Sequence, residues 1–325
     1  MSDSRSPILA ARTERGLALV LTLLVLTLLV TAVLEFDRST RTTLKAAGNF
    51  RDGMKAYYLA TSGIAAAQAV LKDDQIRYGS VDSLTELWAT PFPPYPLGDG
   101  TVAVAIQDEG GKLHLNGLHA PSGAKVPLRI AQLKELFRLK GLDPAPVDAL
   151  VDWLDRDDVA ELGGAESDYY QALERPYRAR NGPLDTLAEL HLVKGFSDDV
   201  YRAVSPYLTV YKNAGDRVNL NTADPLILQA LPVQDRGVIT FPLSAEQVEK
   251  LVAARPFPSL SLSEINKVAG IDSVVASQIQ PLLAITSTHF SVYAEGTANG
   301  VRKGIQAVVD RTGGSSALRY WRLAD

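Results

Sequence analysis

The sequence predicts an α+β protein with a long N-terminal transmembrane helix and an antiparallel sheet into which a large all-α domain is inserted. Three observations predict it. Residues 17–34 form an 18-residue run without a charge, at the short end of what spans a bilayer. Strand-like alternation occurs on both sides of a long middle region, at 101–107 and at 290–310. The middle itself carries a recurring unit of helical spacing closed by glycine. The chain has 325 residues, 46% hydrophobic and 22% charged, which is globular composition with room for two domains. There is no cysteine, which excludes disulfide scaffolds, thiolate metal sites and cysteine nucleophiles. A net charge of −4 argues against a broad basic surface for nucleic acid.

The apolar run, LALVLTLLVLTLLVTAVL, follows Arg5, Arg12 and Arg15 and precedes Glu35, Asp37 and Arg38. Basic residues ahead of the span predict an inside N-terminus and an outside body. A secretory signal peptide would have a shorter apolar core and a small-residue cleavage site, and TAVLEFD is a poor one. A plain signal anchor is the simplest reading of the hydropathy. From Asp37 to Leu71 there is no proline, and Leu44, Ala47, Phe50, Met54, Tyr57, Tyr58, Ile64 and Val70 recur at helical spacing. The helix is therefore expected to continue, with its stripe packed on a sheet below and on neighbouring subunits above. Gly48, Gly53 and Gly63 weaken it and allow bending or close packing.

Pro91 to Pro96 ends the helical region. Thr101–Gln107 reads as a strand, residues 108–111 as a turn and Lys112–Asn116 as a short return strand. Near the C-terminus, Phe290–Thr297 and Val301–Asp310 flank Ala298-Asn299-Gly300, a hairpin signal. Tyr320 and Trp321 add a further short edge.

In the middle, Leu133–Leu142, Leu187–Phe196 and Leu262–Ile271 share the pattern apolar-x-Glu-apolar-x-x-apolar-x-Gly-apolar. A looser fourth unit starts at Asn219, with Asn or Thr expected to cap a helix to Leu231. The units resemble helix-hairpin-helix, or sterile-alpha-like, motifs. Such hairpins bind DNA phosphates through backbone N–H groups at the glycine turn. Lys140, Lys194 and Lys267 would favour that, but Asp143, Asp198, Asp199 and Asp272 directly after the turns would repel phosphate. No nucleic-acid partner is expected, and a membrane-tethered DNA binder stands as a rival reading.

Residues 152–168 hold seven carboxylates and one arginine. Such crowding demands solvation or a shared cation, and Ca2+ takes six to eight oxygens from a flexible loop. Gly163 and Gly164 would let the chain fold back, although the EF-hand spacing is absent. A solvated acidic loop is the plainer reading, and a carboxylate pair for acid–base work a third. No phosphate loop, nucleophile elbow or dinucleotide fingerprint accompanies it, so no enzyme is expected.

The junction Arg15-Gly16-Leu17-Ala18-Leu19-Val20 resembles the class III leader of type IV pilins and pseudopilins. The resemblance implies that a prepilin peptidase cuts between Gly16 and Leu17 and that the new amino terminus is methylated. Position five of the mature chain, usually Glu in pilins, is Leu21 here. A carboxylate in an apolar bundle is costly without an opposite charge, and a subunit with no neighbour ahead of it lacks that partner. Five further stretches join the leader: Gly111–Asn116, Asp152–Asp155 leading to Gly164–Tyr170, Asn181–Glu189, Val218–Ala223, and the strand pair around Glu295-Gly296. Together they resemble the minor pseudopilin K family of type II secretion.

That resemblance implies a leader at 1–16, a transmembrane segment at 17–36, and the first part of a pilin-like α/β domain at 37–117. An inserted helical domain follows at 118–286, then closing strands at 287–325. It implies a structural Ca2+ in the helical domain, with Asp155, Asp157, Glu166 and Asp168 as ligand candidates. It implies minor pseudopilins I and J, major pseudopilin G and the prepilin peptidase as partners, and a single pass in the inner membrane with the body in the periplasm. The implied role is at the pseudopilus tip, initiating assembly and helping export folded proteins across the outer membrane. A minor pilin of a type IV pilus or competence system is the alternative. His114 replaces the polar residue expected in its motif and is expected to face solvent or the sheet edge.

Overall fold

The computed structural model describes residues 7–314 and 316–324, with side chains from residue 16 onward except Ala214. Residues 1–6 of the expected leader, Arg5 among them, lie outside the described residues.

Helix α1 runs unbroken from Pro7 to Tyr78, 72 residues. It contains the one helix segment among the described residues long and apolar enough to cross a membrane, with mean hydropathy 2.9. Three hydroxyls interrupt the apolar run, and each is satisfied within the helix. Thr22 donates to the Leu19 carbonyl at 2.8 Å, Thr27 to Leu23 at 2.8 Å and Thr31 to Thr27 at 2.7 Å. That self-sufficiency suits a surrounding without water. Further on, Ala56, Ala60, Ile64, Ala67 and Leu71 are buried on the sheet, spaced as one helix face. Leu44, Phe50 and Tyr58 of the expected stripe point away and are exposed. Of the expected stripe only Ile64 belongs to this buried face, which is otherwise made of three alanines and Leu71.

The sheet has five antiparallel strands in sequential order: β1 (Tyr95–Leu97), β2 (Gly100–Asp108), β3 (His289–Ala298), β4 (Val301–Asp310) and β5 (Ala317–Ala324). β2 and β3 pair from Gly100↔Ala298 to Asp108↔Phe290 although the helical region separates them in sequence. Between β3 and β4, Asn299 (φ 48°) and Gly300 (φ 81°) make the expected tight turn. Gly296 lets α1 approach: a Cβ there would lie 2.0 Å from the Ala56 carbonyl oxygen. Trp88 packs edge-on to Phe290 with ring centroids 5.0 Å apart.

Two local expectations are corrected. Lys112–Asn116 does not return along β2; Leu113–His114 pairs in parallel with Leu208–Thr209 inside the helical region. Leu113, Leu115 and Leu118 belong to the helical core, because their side chains continue its apolar layer and not that of the sheet. The neighbour of β2 is instead β1, which contains Pro96; an edge strand tolerates the missing donor. β5 is eight residues long, not a short edge.

The helical region contains α2 (Pro127–Leu139), α3 (Pro146–Leu154), α4 (Ser167–Gln171), α5 (Asp198–Val204), α6 (Pro225–Gln229), α7 (Ala245–Ala253), α8 (Leu262–Ala269) and α9 (Ser273–Ile279). Gly141, Gly195 and Gly270 close the three repeated units, all with positive φ, as helix-ending glycines do. The 187–196 unit is a 3-10 helix held by a capping box of Thr186 and Glu189. Asp224, not Asn or Thr, caps the fourth unit: its carboxylate accepts from the Leu226 N–H at 2.9 Å.

The structure reveals a duplication that helix spacing alone does not. Leu113–His114 pairs with Leu208–Thr209, and Val218–Asn219 pairs equally in parallel with Leu283–Ala284. After each first strand an asparagine grips a distant backbone: Asn116 bonds both N–H and C=O of Leu184, and Asn221 both of Phe257. The two copies share one apolar core.

The position of this region follows from the sheet. Ala56 and Leu59 lie against Gly296 and Gly100, at one end. At the other end, where α1 terminates, Gln75 donates to the Arg311 carbonyl at 3.1 Å. The chain leaves the sheet there at Asp108 and returns at His289. The helical region therefore sits at the sheet end remote from the apolar segment. A buried polar joint fixes it. Asp108 accepts from Ser287 at 2.8 Å and from Thr222; Asn219 donates to the Asp82 carbonyl at 3.1 Å; Asp82 accepts from the Ser287 N–H at 2.6 Å.

Candidate functional site

Helix α3 starts with Pro146 in its first turn, which fits its fixed φ. It ends in Asp152-Trp-Leu-Asp155, so Asp152 and Asp155, three residues apart, emerge on one face. The following loop folds back to bring Glu166 beside them. One oxygen from each of Asp152, Asp155 and Glu166 lies within 4.8 Å of the others, and all three residues are buried. Trp153, edge-on to Tyr170 at 5.1 Å, holds the two ends of the loop together. Gly164 permits this closeness, since a Cβ there would collide with the Asp152 carboxylate.

The three carboxylates are not equivalent. Asp152 is satisfied: it accepts from the Glu161 N–H at 3.1 Å and the Ala165 N–H at 2.8 Å. Asp155 (4% exposed) and Glu166 (6% exposed) have no hydrogen-bond partner on any of their four oxygens. Burial, then the charge of Asp157, pushes Asp155 up to about 6. Burial, then the charges of Asp155 and Asp152, pushes Glu166 up to about 7. Native carboxylates are rarely left so. Four enclosed hard oxygens without a hydrogen bond, beside a third carboxylate, fit a divalent cation such as Ca2+.

Of the sequence candidates, the structure brings Asp155 and Glu166 together. Asp157 is exposed and accepts from the Val159 N–H at 2.9 Å. Asp168 is exposed in the first turn of α4. Neither joins the cluster. Asp152 joins it and was not among the candidates; its spacing from Asp155 on a helix end was the available signal.

A second cluster gives the contrast. Asp74, Asp82 and Glu86 also lie within 4.8 Å of one another. Here Arg311 supplies the cation, donating to Asp74 at 2.9 Å and to Asp82. It also stacks 4.2 Å over the Phe290 ring. Trp88 Nε1 donates to Glu86 at 2.6 Å. This site is filled by protein groups.

Other expected features take their places. Gly16 and Leu17 are consecutive exposed residues within α1, and Leu21 is exposed on the same helix. At the helix-glycine turns, Lys140 lies 5.1 Å over the Tyr207 ring, and Lys194 donates to the Gly164 carbonyl at 2.9 Å and lies over Tyr169. These ammonium groups serve internal packing. His114 is corrected: it does not face solvent but pairs with Asp216 at 2.9 Å, mostly buried.

A long helix, apolar in its first part and laid on an antiparallel sheet in its second, defines a pilin-like subunit, here carrying a helical insertion. A family model described as "Type II secretion system (T2SS), protein K" matches residues 111–213. The type II secretion system protein K of Pseudomonas aeruginosa is 31% identical over 256 residues, 75% of this chain and 73% of that one. That of Klebsiella pneumoniae is 29% identical over 283 residues, 85% and 82% of the two chains. In the crystal structure of the GspK-GspI-GspJ complex from the enterotoxigenic Escherichia coli type 2 secretion system, one chain matches with a TM-score of 0.69. The match covers 88% of this chain and 99% of that one at 20% identity, a likeness of fold. The chain belongs to the type II secretion system protein K family.

Proposed function

We propose that this chain is the tip subunit of a type II secretion pseudopilus. It waits in the inner membrane as a single-pass protein with its body in the periplasm. A prepilin peptidase removes residues 1–16, and Leu17 becomes the methylated amino terminus. The subunit then joins minor pseudopilins I and J and starts assembly, and major pseudopilin G extends the filament below it. Growth pushes folded proteins toward the outer membrane. A complex containing GspI and GspJ around the structural neighbour supports partners of that kind.

The observation that carries this reading is the helical insertion on the sheet end remote from the apolar segment. A further subunit stacked in that direction would meet this bulk and not a helix end. Leu21 supports it, since an apolar side chain needs no partner ahead of it. Family membership favours secretion over a type IV pilus or competence system. The test is secretion and pseudopilus number in cells lacking their own K protein. The wild-type chain restores both; Gly16→Val stays uncut and restores neither. A chain that restores secretion while uncut would refute the reading.

We also propose a structural Ca2+ held by Asp152, Asp155 and Glu166. The ion would supply the missing positive charge and fix the 155–166 loop against α3. The absence of any hydrogen bond to the oxygens of Asp155 and Glu166 supports it. Calorimetric titration with Ca2+ tests it, with Asp155→Asn expected to abolish binding.

A further inference from the structure

Lys125 stands at the rim of the carboxylate cluster. Its ammonium is 3.7 Å from Asp155 Oδ2 and pairs with Glu161. Glu161 in turn belongs to the loop, and its N–H is bonded to Asp152. One lysine thus ties α3 to the loop across the mouth of the site. Its backbone is fixed: Val126 N–H donates to the Leu118 carbonyl at 2.8 Å, and His119 and Lys125 form a β-bridge. Its side chain is not enclosed, being 35% exposed. The fixed backbone keeps the ammonium in reach, and the open side chain lets it leave.

We infer that Lys125 is a tethered counter-cation that occupies the rim of the metal-free site and must swing out when a divalent cation binds. This rests on the cation reading of Asp152, Asp155 and Glu166. Two positive charges cannot share Asp155 at contact distance without strong repulsion. The ion pair and the bound cation therefore exclude each other. Only the fraction of molecules with Lys125 displaced binds at intrinsic affinity, so the apparent affinity falls by that fraction. Lys125 sets the concentration at which the site fills, and so confines filling to a cation-rich compartment. Arg311 shows the limiting case in the same molecule, a fully buried cation that fills its carboxylate cluster permanently.

The test uses the full chain in detergent micelles, stripped with chelator and titrated with CaCl2 by calorimetry, with thermal unfolding in parallel. Lys125→Met is expected to bind Ca2+ about five- to tenfold tighter than wild type. Lys125→Arg keeps the charge and binds like wild type. In chelator Lys125→Met melts below wild type; in saturating Ca2+ the gap closes or reverses, because the wild-type pair is then broken as well. A merely structural lysine would leave the same gap in both conditions. If wild type binds and Lys125→Met binds no tighter, this inference falls and the cation reading stands. If wild type binds no Ca2+, both fall.

Discussion

Glu166→Gln is expected to stabilise the chain in chelator and to destabilise it relative to wild type in Ca2+. The two signs come from the same geometry. Without a cation, Asp152, Asp155 and Glu166 crowd three carboxyls within 4.8 Å, and two of them lack any hydrogen bond. Two like charges at that separation repel by about 3 kcal/mol at an effective dielectric of about 20. Lys125 near Asp155 and partial water access at the rim reduce this to a net of about 1–2 kcal/mol. Glutamine has nearly the shape of glutamate and removes the charge, so it relieves that repulsion. The assay is thermal unfolding of the full chain at pH 8, where the carboxyls are ionised. About 1–2 kcal/mol corresponds to about 2–8 °C for a body of this size. In excess Ca2+ the order reverses, since the wild type gains ligand stabilisation that the variant has lost. A variant less stable than wild type in chelator would show that the Glu166 oxygens are satisfied and would remove the cation argument.

Three further outcomes follow from the sheet domain and its joint. Arg311→Met leaves Asp74 and Asp82 buried without their cation and is expected to lower stability by about 3–5 kcal/mol, read from the urea midpoint; a change below about 1 kcal/mol would mean water reaches those carboxylates. Burial raises Glu86 to about 7 and Asp108 to about 6. The unfolded chain releases these protons near pH 4, so between about pH 4 and 7 the folded chain holds more protons and stability falls as pH rises. Glu86→Gln, which keeps the Trp88 bond, is expected to flatten that slope, and an unchanged slope would refute the assignment. Gly296→Val would drive side-chain atoms into the Ala56 carbonyl, and is expected to cost about 3 kcal/mol or more through displacement of α1, seen as a lowered melting temperature with Ala298→Val as a milder control.

Much of the fold was legible because it rests on local rules. The uninterrupted apolar run, the Asn299-Gly300 turn and the glycine-closed helices each declare themselves within a dozen residues. What failed was non-local. Leu113–His114 has no local feature that selects Leu208–Thr209 over β2; the choice is made by apolar side chains joining a distant core. The proline-rich stretch at 91–96 reads only as a helix stop, yet Tyr95–Leu97 forms an edge strand, where Pro96 needs no donor on the outer side. In the acidic loop, charge density marked the right segment but not the right members. Asp152, Asp157 and Asp168 are one residue type in one short segment, and only the fold-back distinguishes exposed carboxylates from enclosed ones. The place of His114 is equally non-local, since its partner Asp216 lies in the link between the two copies of the duplicated module.

The joint explains why a bulky insertion could serve as a cap. An apolar contact between sheet and insertion would bury surface but tolerate sliding, because dispersion and hydrophobic burial are non-directional. Here the contact is a directional network: Asp82 is bonded to Ser287 and Arg311, Asp108 to Ser287 and Thr222, and Asn219 to Asp82 and Ser287. Its members come from the segment after α1, the end of β2, the second copy of the helical module, the entry to β3 and the residue after β4. A rotation of the insertion would leave several buried polar groups unpaired at once, at about 1–3 kcal/mol each. Arg311 also donates to Asp74 within α1, so the network ties the orientation of the insertion to the axis of the helix that carries the apolar segment. If the insertion is the cap proposed above, this joint would keep its direction through assembly, and the exposed Leu44, Phe50 and Tyr58 would be the part of the same helix open to subunits packed beside it.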